Sequence, residues 1–302
     1  MVAGALSSPR PTREGPDDAL TPPWRARCAA HAPRTGDGAG GILRRVGIVA
    51  HRSPVDGLSE APAGGRRTRR AGVRHRSTVG RSDMRIGIIG AGNIGGNLTR
   101  RLTALGHQVT VANSRSPETL GALTEETGAT AAEAAHAADG AELVIVTVPL
   151  KNVPDLPKGF LEGAVPGAVV IDTNNYYPQQ RDGRIDAIED GLTESRWVSA
   201  QIGHPVVKAF NGTYAQDLLD RHTAPGTPHR HALPVAGDDP AAKQVVRDLI
   251  DALGFDTVDA GTLDDSWRQQ PGTPVYGSRG DAEEVRRLLD AAQPERPAEF
   301  RA

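Results

Sequence analysis

The sequence of 302 residues has little of what several protein classes depend on. It contains a single cysteine, Cys28, which excludes an internal disulfide framework and a cysteine-based zinc site. No apolar run reaches the roughly 18–20 residues that a transmembrane helix needs, and no secretory signal is visible at the start. Walker, G-x-S-x-G and H-E-x-x-H motifs are missing as well. The missing motifs leave NTPase, hydrolase and zincin functions without their usual support. The single cysteine suits a reducing cytoplasm, so a cytoplasmic protein without a metal site is expected.

Charge is nearly balanced over the chain, whose formal net charge is −2, but its distribution is uneven. Residues 1–83 contain 15 arginines, no lysine and 7 acidic residues, and they show no lasting helix or strand period. We therefore predict a disordered Arg/Pro/Gly-rich arm here. Three explanations stay open: an arm that binds polyanions, a solvated tail, or upstream sequence translated from a misassigned start. Because Met84 directly precedes the first predicted strand, the misassigned start is favoured. No nucleic-acid or membrane partner is expected, since the net charge of the chain is close to zero and the arm lacks lysine and interleaved aromatic residues.

From Met84 onward, short apolar runs typical of buried strands alternate with apolar residues at helical spacing. The predicted strands cover residues 85–90, 108–112, 142–149, 168–172, 205–210, 232–237 and 256–260. The predicted helices cover residues 94–105, 117–127, 133–138, 193–202, 240–253 and 281–292. This alternation predicts an α/β fold of the Rossmann type, a doubly wound and mainly parallel sheet over residues 84–263. A Pro/Gly-rich tail with a terminal helix follows over residues 264–302.

A Gly-Ala-Gly-Asn-Ile-Gly sequence begins at Gly90, between a predicted strand and a predicted helix. In a G-x-G-x-x-G turn, Gly90 permits the tight turn, Gly92 lets the backbone approach a pyrophosphate, and Gly95 lets the helix pack on the strand. The helix start at Asn93 and Ile94 offers N–H groups and partial positive charge to phosphates. The sequence thus predicts a dinucleotide site, with a glycine turn required only for packing as the alternative.

The end of the second predicted strand indicates which nucleotide binds. NAD-specific sites usually place an acidic residue there, which accepts from the ribose 2′-hydroxyl. Here Asn113 stands 18 residues after Gly95 and is followed by Ser114 and Arg115. No carboxylate repels a 2′-phosphate, while Arg115 supplies a charged donor fork and Ser114 a hydroxyl. The segment therefore predicts NADP(H) as the cofactor, with a polar surface loop as the alternative.

The candidate ligand-contact and catalytic residues follow the later strands, since ligands in such sheets bind beyond the carboxyl ends of the strands. This rule points to three loops, at residues 149–153, 173–178 and 211–214. In the second loop, Asn175 can donate from its amide and Tyr176 can stack or donate its hydroxyl, so both are candidate catalytic residues. The alternative is a loop whose polar groups are satisfied within the protein, and the sequence does not decide which of the paired asparagines and paired tyrosines face the ligand. Lys208, inside an apolar strand, is the third candidate catalytic residue, with a structural role as its alternative.

From Met84 to about Leu263 the chain resembles the NADP oxidoreductase, coenzyme F-420-dependent family, which includes NADPH-dependent deazaflavin reductases. The likeness lies in the glycine turn, Asn113-Ser-Arg115, Val148-Pro149, Val207-Lys-Ala-Phe-Asn211 and Pro234-Val-Ala-Gly-Asp-Asp239. The resemblance implies that the glycine turn holds the pyrophosphate, that Ser114 and Arg115 hold the 2′-phosphate, and that Val148 and Pro149 belong to the cofactor site. It also implies hydride exchange between NADP(H) and a stacked acceptor, for which coenzyme F-420 is the family's candidate.

The sequence departs from the family beyond Leu263, where deazaflavin reductases continue with an apolar helical segment near the acceptor. Here a Pro/Gly-rich stretch with Trp267 and Tyr276 precedes a charged helix. Two other functions therefore stay open. One is an NADPH-dependent reductase of a small carbonyl, imine or flavin, with Tyr176 or His204 as donor; the other is a non-catalytic NADPH-binding sensor. A small-molecule acceptor is the expected partner, and a homo-oligomer is left open.

Overall fold

The computed structural model of the protein describes residues 83–302. The predicted disordered arm, and the three explanations for it, lie outside the described residues except for Asp83. Eight strands run through the described part of the chain. They are β1 Arg85–Ile89, β2 Gln108–Ala112, β3 Thr130–Ala131, β4 Leu143–Val146, β5 Val169–Asp172, β6 Val207–Lys208, β7 Ala232–Val235 and β8 Asp256–Asp259. All except the two-residue β3 were predicted from the sequence.

The helices lie mainly between these strands. They are α1 Asn93–Ala104, α2 Gly121–Thr127, α3 Asp186–Glu189, α4 Glu194–Ile202, α5 Asp217–Asp220, α6 Pro240–Leu253 and α7 Ala282–Asp290. Short 3₁₀ segments occur at Pro117–Leu120, Leu150–Asp155, Asp264–Gln269 and Ala298–Phe300, and a π-helical turn occurs at Pro178–Asp182. None of the helices within residues 83–302 has the length and apolarity that crossing a membrane requires.

Local sequence determines where the helices begin and end, as α6 illustrates. The Asp239 carboxylate accepts from the Ala241 N–H at 2.8 Å, and Pro240 occupies the first helical position. The helix ends at Gly254, whose φ of +104° is a left-handed conformation that glycine adopts without strain. Its buried face consists of Val246, Leu249, Ile250 and Leu253. This amphipathic pattern places α6 against the sheet.

Six strands form one parallel sheet in the order β3-β2-β1-β4-β5-β6, which is the Rossmann strand order. Ile89 at the end of β1 pairs with Ala112 on one side and with Val146 on the other. Asp172 at the end of β5 pairs with Lys208 of β6. The carboxyl ends of all six strands therefore lie along one edge of the sheet, and the predicted doubly wound, mainly parallel fold is confirmed.

Both faces of this sheet are covered. On one face, Ile86, Ile88 and Ile145 share a core with the buried side chains of α1 and α6. On the other face, Val146 packs in a cluster with Phe160. This two-sided burial explains why the strands are continuous apolar runs rather than alternating patterns.

The last two strands form a separate parallel pair, β7-β8, joined to β6 by an antiparallel bridge between Lys208 and Ala236. Helix α7 packs on this pair, and its residues Val285 and Leu289 share a buried cluster with Val275. The stretch over residues 264–302 therefore folds back on β7 and β8. This position matters for the site, because the stretch reaches the carboxyl edge of the main sheet.

The helix predicted over residues 133–138 was wrong. The segment instead forms consecutive turns, in which the His136 N–H donates to the Glu133 carbonyl at 2.9 Å. The segment lies so close to β1 that a Cβ added to Gly87 would come within 2.3 Å of the Ala137 carbonyl oxygen. Its alanines thus pack their backbone against the strand, and this tertiary contact takes precedence over helix propensity.

The strand predicted over residues 205–210 is much shorter than expected, since β6 contains only Val207 and Lys208. Phe210 adopts a left-handed conformation with φ of +62° although its side chain is buried. Backbone strain of this kind costs about 1–3 kcal/mol and occurs mostly near functional sites. The turn at Phe210 ends the extended backbone of β6 and brings Asn211 to the carboxyl edge.

Candidate active site

The glycine turn lies between β1 and α1, where close packing makes two of its glycines necessary. A Cβ on Gly90 would lie 2.1 Å from the Thr147 carbonyl oxygen, and a Cβ on Gly95 would lie 1.8 Å from the Gly90 carbonyl oxygen. Gly92 is different, because it is exposed and a Cβ there would meet no atom within 4 Å. Gly92 is the N-cap of α1 and makes no side-chain capping bond.

The start of α1 is therefore an open cradle lined by backbone. Asn93, the first residue of the helix, is exposed, and Ile94 is half-buried. The first N–H groups of an α-helix have no acceptor within the helix, and the helix dipole adds partial positive charge. This cradle fits a pyrophosphate, as the sequence predicts.

The loop after β2 is held in shape by Asn113. Its side-chain oxygen accepts from the Arg115 N–H at 2.8 Å, and its amide nitrogen donates to the Thr119 hydroxyl at 2.9 Å. Ser114 and Arg115 are exposed. Within residues 83–302, the Arg115 guanidinium takes part in none of the hydrogen bonds or ion pairs found, so its donor fork can bind a phosphate. The loop fits the 2′-phosphate of NADP(H).

Val148 and Pro149 follow β4 and are half-buried at the same edge. Pro149 precedes the 3₁₀ segment Leu150–Asp155 as its N-cap. The adjoining Thr147 lies against the glycine turn, since its methyl carbon would be 2.8 Å from a Cβ on Gly95. The structure thus brings the predicted cofactor residues after β1, β2 and β4 to one edge of the sheet.

The loop after β5 faces the same edge and contains a network of side-chain amides. The Asn175 amide nitrogen donates to the Asn211 carbonyl at 2.8 Å and to the Tyr276 hydroxyl at 3.2 Å. Its amide oxygen accepts from the Asn211 side chain at 3.1 Å. The Tyr276 hydroxyl also forms a hydrogen bond with the Tyr177 hydroxyl. Asn175, a predicted acceptor residue, thus lies at the centre of this network.

Tyr176, its predicted partner, lies behind the loop. The side chain is fully buried, its hydroxyl accepts from the Ile185 N–H at 2.9 Å, and the Arg296 guanidinium lies 5.3 Å from its ring centre. Burial raises the pKa of Tyr176 to about 12, which keeps the phenol neutral. These contacts favour a structural role for Tyr176, and the half-buried Tyr177 is the tyrosine that reaches the amide network.

Lys208 is also fully buried, within a cluster of charged groups. Its ammonium donates to the Asn174 carbonyl at 3.0 Å and lies 3.5 Å from the Glu194 carboxylate and 3.9 Å from the Asp172 carboxylate. Asp172 in turn accepts from the Ser195 hydroxyl at 2.5 Å. These contacts connect β6, helix α4 and the loop after β5. They support the structural alternative for Lys208, as a residue that positions the loop.

A second cation reaches this cluster from the tail. Arg296 donates to the Glu194 carboxylate at 3.0 Å and to the Gln270 side-chain oxygen at 2.9 Å. Burial raises the pKa of Glu194, and both Lys208 and Arg296 oppose this effect. Two cations and two carboxylates therefore balance in the buried cluster formed by Asp172, Glu194, Lys208 and Arg296. Such balance is required, because an unpaired buried charge is costly.

The structure leaves some of the predicted candidates away from this edge. His204 precedes β6, at the amino end of the strand, and its ring nitrogen contacts the Pro205 carbonyl at 2.7 Å. A proton-donor role for His204 therefore lacks support.

A cavity of about 350 Å³ lies near the start of β1 and β2, and none of the predicted site residues lines it. Among residues 83–302, no group of three or more His, Cys, Asp or Glu side chains could hold a metal ion.

Sequence reasoning missed Tyr276, which joins the amide network, and also Glu194 and Arg296, which belong to the buried charge cluster behind it. The departure from the family beyond Leu263 could have drawn attention to Tyr276. Glu194 and Arg296 gave no such signal, because charged residues in polar surroundings are typical of solvated surfaces. Their roles depend on contacts between distant parts of the chain.

Known proteins resemble this chain in sequence and in fold. The family described as NADP oxidoreductase coenzyme F420-dependent matches residues 85–176, which include the glycine turn, the loop after β2 and the loop after β5 as far as Tyr176. The structure of the hypothetical protein SMa0349 from Sinorhizobium meliloti is 32% identical and covers 65% of this chain and 94% of its own, with a TM-score of 0.55. A structure from Arthrobacter sp. FB24, assigned provisionally as an F420-dependent NADP-reductase, is 25% identical. It covers 60% of this chain and 86% of its own, with a TM-score of 0.51.

Among curated proteins, YjhV of Escherichia coli (strain K12) is 43% identical over 77 residues, which are 25% of this chain and 56% of that protein. The chain thus spans about half the length of this curated relative. The fold and the family match together define an NADP-dependent oxidoreductase of the Rossmann type. The chain belongs to the NADP oxidoreductase coenzyme F420-dependent family, and the predicted resemblance, enzyme class and NADP(H) cofactor are confirmed at the level of the family.

Proposed function

We propose that the protein is an NADPH-dependent reductase that passes hydride to a flat, conjugated acceptor stacked beside the nicotinamide, with the deazaflavin coenzyme F-420 as the first candidate. The observation that carries the proposal is the common edge of the sheet. The open cradle at Gly92, the loop of Arg115 and the amide network of Asn175 all follow carboxyl ends of strands in that one sheet. Ligands of such sheets bind at this edge.

The nucleotide half of the site has a clear division of tasks. The N–H groups at the start of α1 bind the pyrophosphate, and Ser114 and Arg115 bind the 2′-phosphate. Val148 and Pro149 line the crevice beside β4 and direct the nicotinamide toward the end of β5. When bound, NADPH supplies a hydride, so the protein has to bind, orient and shield the two reacting rings rather than provide a nucleophile.

The acceptor half consists of Asn175, Asn211, Tyr177 and Tyr276. Their amide and hydroxyl groups can hydrogen-bond to a ring carbonyl or a ring nitrogen of the acceptor. The hydroxyl pair of Tyr177 and Tyr276 favours a second candidate, a small carbonyl or imine, because such an acceptor also needs a hydroxyl donor.

Anaerobic stopped-flow absorbance with the purified full-length protein tests the proposal. NADPH is mixed with coenzyme F-420, FMN, FAD or the cyclic imine 1-pyrroline, and NADPH oxidation is followed in time. We expect rapid oxidation with at least one conjugated acceptor and slower oxidation when NADH replaces NADPH. Tight NADPH binding without hydride transfer to any of them would contradict the proposal and favour a non-catalytic NADPH-binding sensor.

A further inference from the structure

We propose that the side-chain oxygen of Asn175 accepts a hydrogen bond from the carboxamide N–H of the nicotinamide and so fixes the orientation of the reacting ring. This inference rests on the proposed function, because it uses the position assigned there to NADPH at the carboxyl edge of the sheet. It also makes the division of the site more specific, since Asn175 follows β5 and lies where the nucleotide half meets the acceptor half.

Three side-chain amides form a chain whose direction is fixed by backbone carbonyls. The Gln269 amide nitrogen donates to the Lys208 carbonyl at 3.4 Å. The Asn211 amide nitrogen donates to the Gln269 carbonyl at 2.7 Å, and the Asn175 amide nitrogen donates to the Asn211 carbonyl at 2.8 Å. Because a backbone carbonyl can only accept, each contact identifies the nitrogen end of its amide. The orientation of all three amides is therefore determined by the main chain.

The second N–H of each amide binds the next side chain along. Gln269 donates to the Asn211 side-chain oxygen at 3.1 Å, and Asn211 donates to the Asn175 side-chain oxygen at 3.1 Å. The second N–H of Asn175 donates to the Tyr276 hydroxyl oxygen at 3.2 Å. An amide nitrogen carries two N–H groups, so every amide N–H of the chain is used within the protein. None of them is left to donate to a ligand.

The Asn175 oxygen is the group of this chain that can bind a ligand. An amide oxygen has two lone pairs, and within residues 83–302 the Asn175 oxygen accepts one hydrogen bond, from Asn211. Asn211 and Gln269 are buried, whereas Asn175 is half-buried and is the amide that a ligand can reach. Toward a ligand, Asn175 therefore offers an acceptor rather than a donor, and its partner has to supply an N–H or O–H group.

The strand order favours the nicotinamide as that partner. In the sheet, β2 lies on one side of β1, and β4 and β5 lie on the other. With the 2′-phosphate at the loop after β2 and the pyrophosphate at the start of α1, the nicotinamide end of the dinucleotide extends toward β4 and β5. Neighbouring strands are about 4.8 Å apart, so β5 lies about 10 Å from β1. The polar group of the nicotinamide is a primary carboxamide, whose N–H groups are the donors that the Asn175 oxygen requires.

Isothermal titration calorimetry of the full-length protein with three oxidised nucleotides tests the assignment, and it needs no hydride acceptor. They are NADP⁺, its acetylpyridine analogue and its thionicotinamide analogue. The acetylpyridine analogue has a methyl group in place of the carboxamide NH₂ and keeps the carbonyl, whereas the thionicotinamide analogue keeps the NH₂ and has sulfur in place of the carbonyl oxygen. We expect wild-type protein to bind NADP⁺ about 5- to 20-fold more tightly than the acetylpyridine analogue, and the thionicotinamide analogue within about twofold of NADP⁺.

Three variants locate the source of this preference. In Asn175→Ala, the preference for NADP⁺ over the acetylpyridine analogue should fall below about twofold, because the accepting oxygen is gone. Asn97→Ala is the matched control, since Asn97 is also half-buried and donates to a backbone carbonyl, that of Ala215, at 2.8 Å. Asn174→Ala tests the neighbouring asparagine, whose side chain is buried and makes no hydrogen bond within residues 83–302. Both of these variants should keep the wild-type preference within about twofold.

Equal wild-type affinities for NADP⁺ and the acetylpyridine analogue would overturn the inference, as would a thionicotinamide analogue that binds as weakly as the acetylpyridine one. This wild-type comparison decides the question even where Asn175→Ala is poorly folded. A preference that survives in Asn175→Ala, or is lost in either of the other two variants, would also overturn the inference. The proposed function fails separately: wild-type protein that shows the preference but reduces none of the acceptors overturns the reductase function alone.

Discussion

Replacing Arg115 with alanine tests the nucleotide half of the site most directly. Arg115 is exposed, and the hydrogen bond that shapes its loop is donated by its backbone N–H to Asn113. Since Arg115→Ala keeps that N–H, the loop should retain its conformation. Surface substitutions without other contacts change stability by about 0.5 kcal/mol or less. Any large effect on nucleotide affinity is therefore attributable to the lost guanidinium.

The size of the effect follows from the phosphate. Hydrogen bonds to a charged group contribute about 1.5–3 kcal/mol, which corresponds to about 10- to 150-fold in affinity. NADH lacks the 2′-phosphate, so its affinity should change by less than about threefold, or about 0.7 kcal/mol. Because the site is exposed, added salt should weaken NADPH binding to the wild-type protein more than to Arg115→Ala.

Fluorescence titration of wild-type protein and variant with NADPH and NADH, at low and high salt, gives the four affinities needed. Arg286→Ala is a matched control, since Arg286 is an exposed arginine of α7 and its loss removes the same charge. The control should change neither affinity by more than about threefold. Equal losses for NADPH and NADH in Arg115→Ala would refute the reasoning and make Arg115 a structural residue.

Three further predictions concern the rest of the site. Gly95→Ala should weaken the binding of NADPH and of NADH alike, because the added Cβ would lie 1.8 Å from the Gly90 carbonyl oxygen and force the glycine turn to move. Unchanged affinities for both nucleotides in fluorescence titrations would contradict this prediction. Lys208→Met should lower the free energy of unfolding in urea by about 3–5 kcal/mol, because removing one partner leaves a buried carboxylate uncompensated. A loss below about 1 kcal/mol would contradict a stabilising role for Lys208 in the buried charge cluster. The pKa of Tyr176 is about 12 in the folded protein and 10 in the unfolded chain. The neutral phenol therefore stabilises the fold fully below pH 10, and this stabilisation is lost as the pH rises toward 12. A difference of two pKa units corresponds to about 2.7 kcal/mol of unfolding free energy. Between pH 10 and 12, the free energy of unfolding in urea should therefore fall less steeply for Tyr176→Phe than for the wild-type protein. Equal slopes of unfolding free energy against pH for the two proteins would contradict the assignment.

The local structure of the proposed nucleotide half could be predicted from sequence because its determinants are local. The strand, the glycine turn and the start of α1 fit within a dozen residues, and the loop of Arg115 directly ends the next strand. Each has a residue pattern whose physical requirement is known, such as a close approach at Gly95. The same holds for α6, whose cap and stop residues stand next to it in the sequence.

The acceptor half could not be predicted in the same way. Tyr276 meets Tyr177 across 99 positions, and Arg296 meets Glu194 across 102. Contacts at such separations leave no local pattern, and one sequence cannot show which distant residues pair. The two errors have a similar origin, because tertiary packing against Gly87 prevents the helix over residues 133–138 and a strained turn shortens β6.

The fold-back of residues 264–302 onto β7 and β8 has a consequence for how this enzyme can change over evolutionary time. The groups that we propose to bind the phosphates of NADPH are encoded before Leu150, whereas Tyr276 and the second cation of the buried charge cluster are encoded more than a hundred residues later. Insertions, deletions or recombination in the later stretch can therefore exchange the hydride acceptor while the inherited nucleotide site stays intact. Descendants of one ancestral gene can thus share a cofactor and differ in the molecule they reduce.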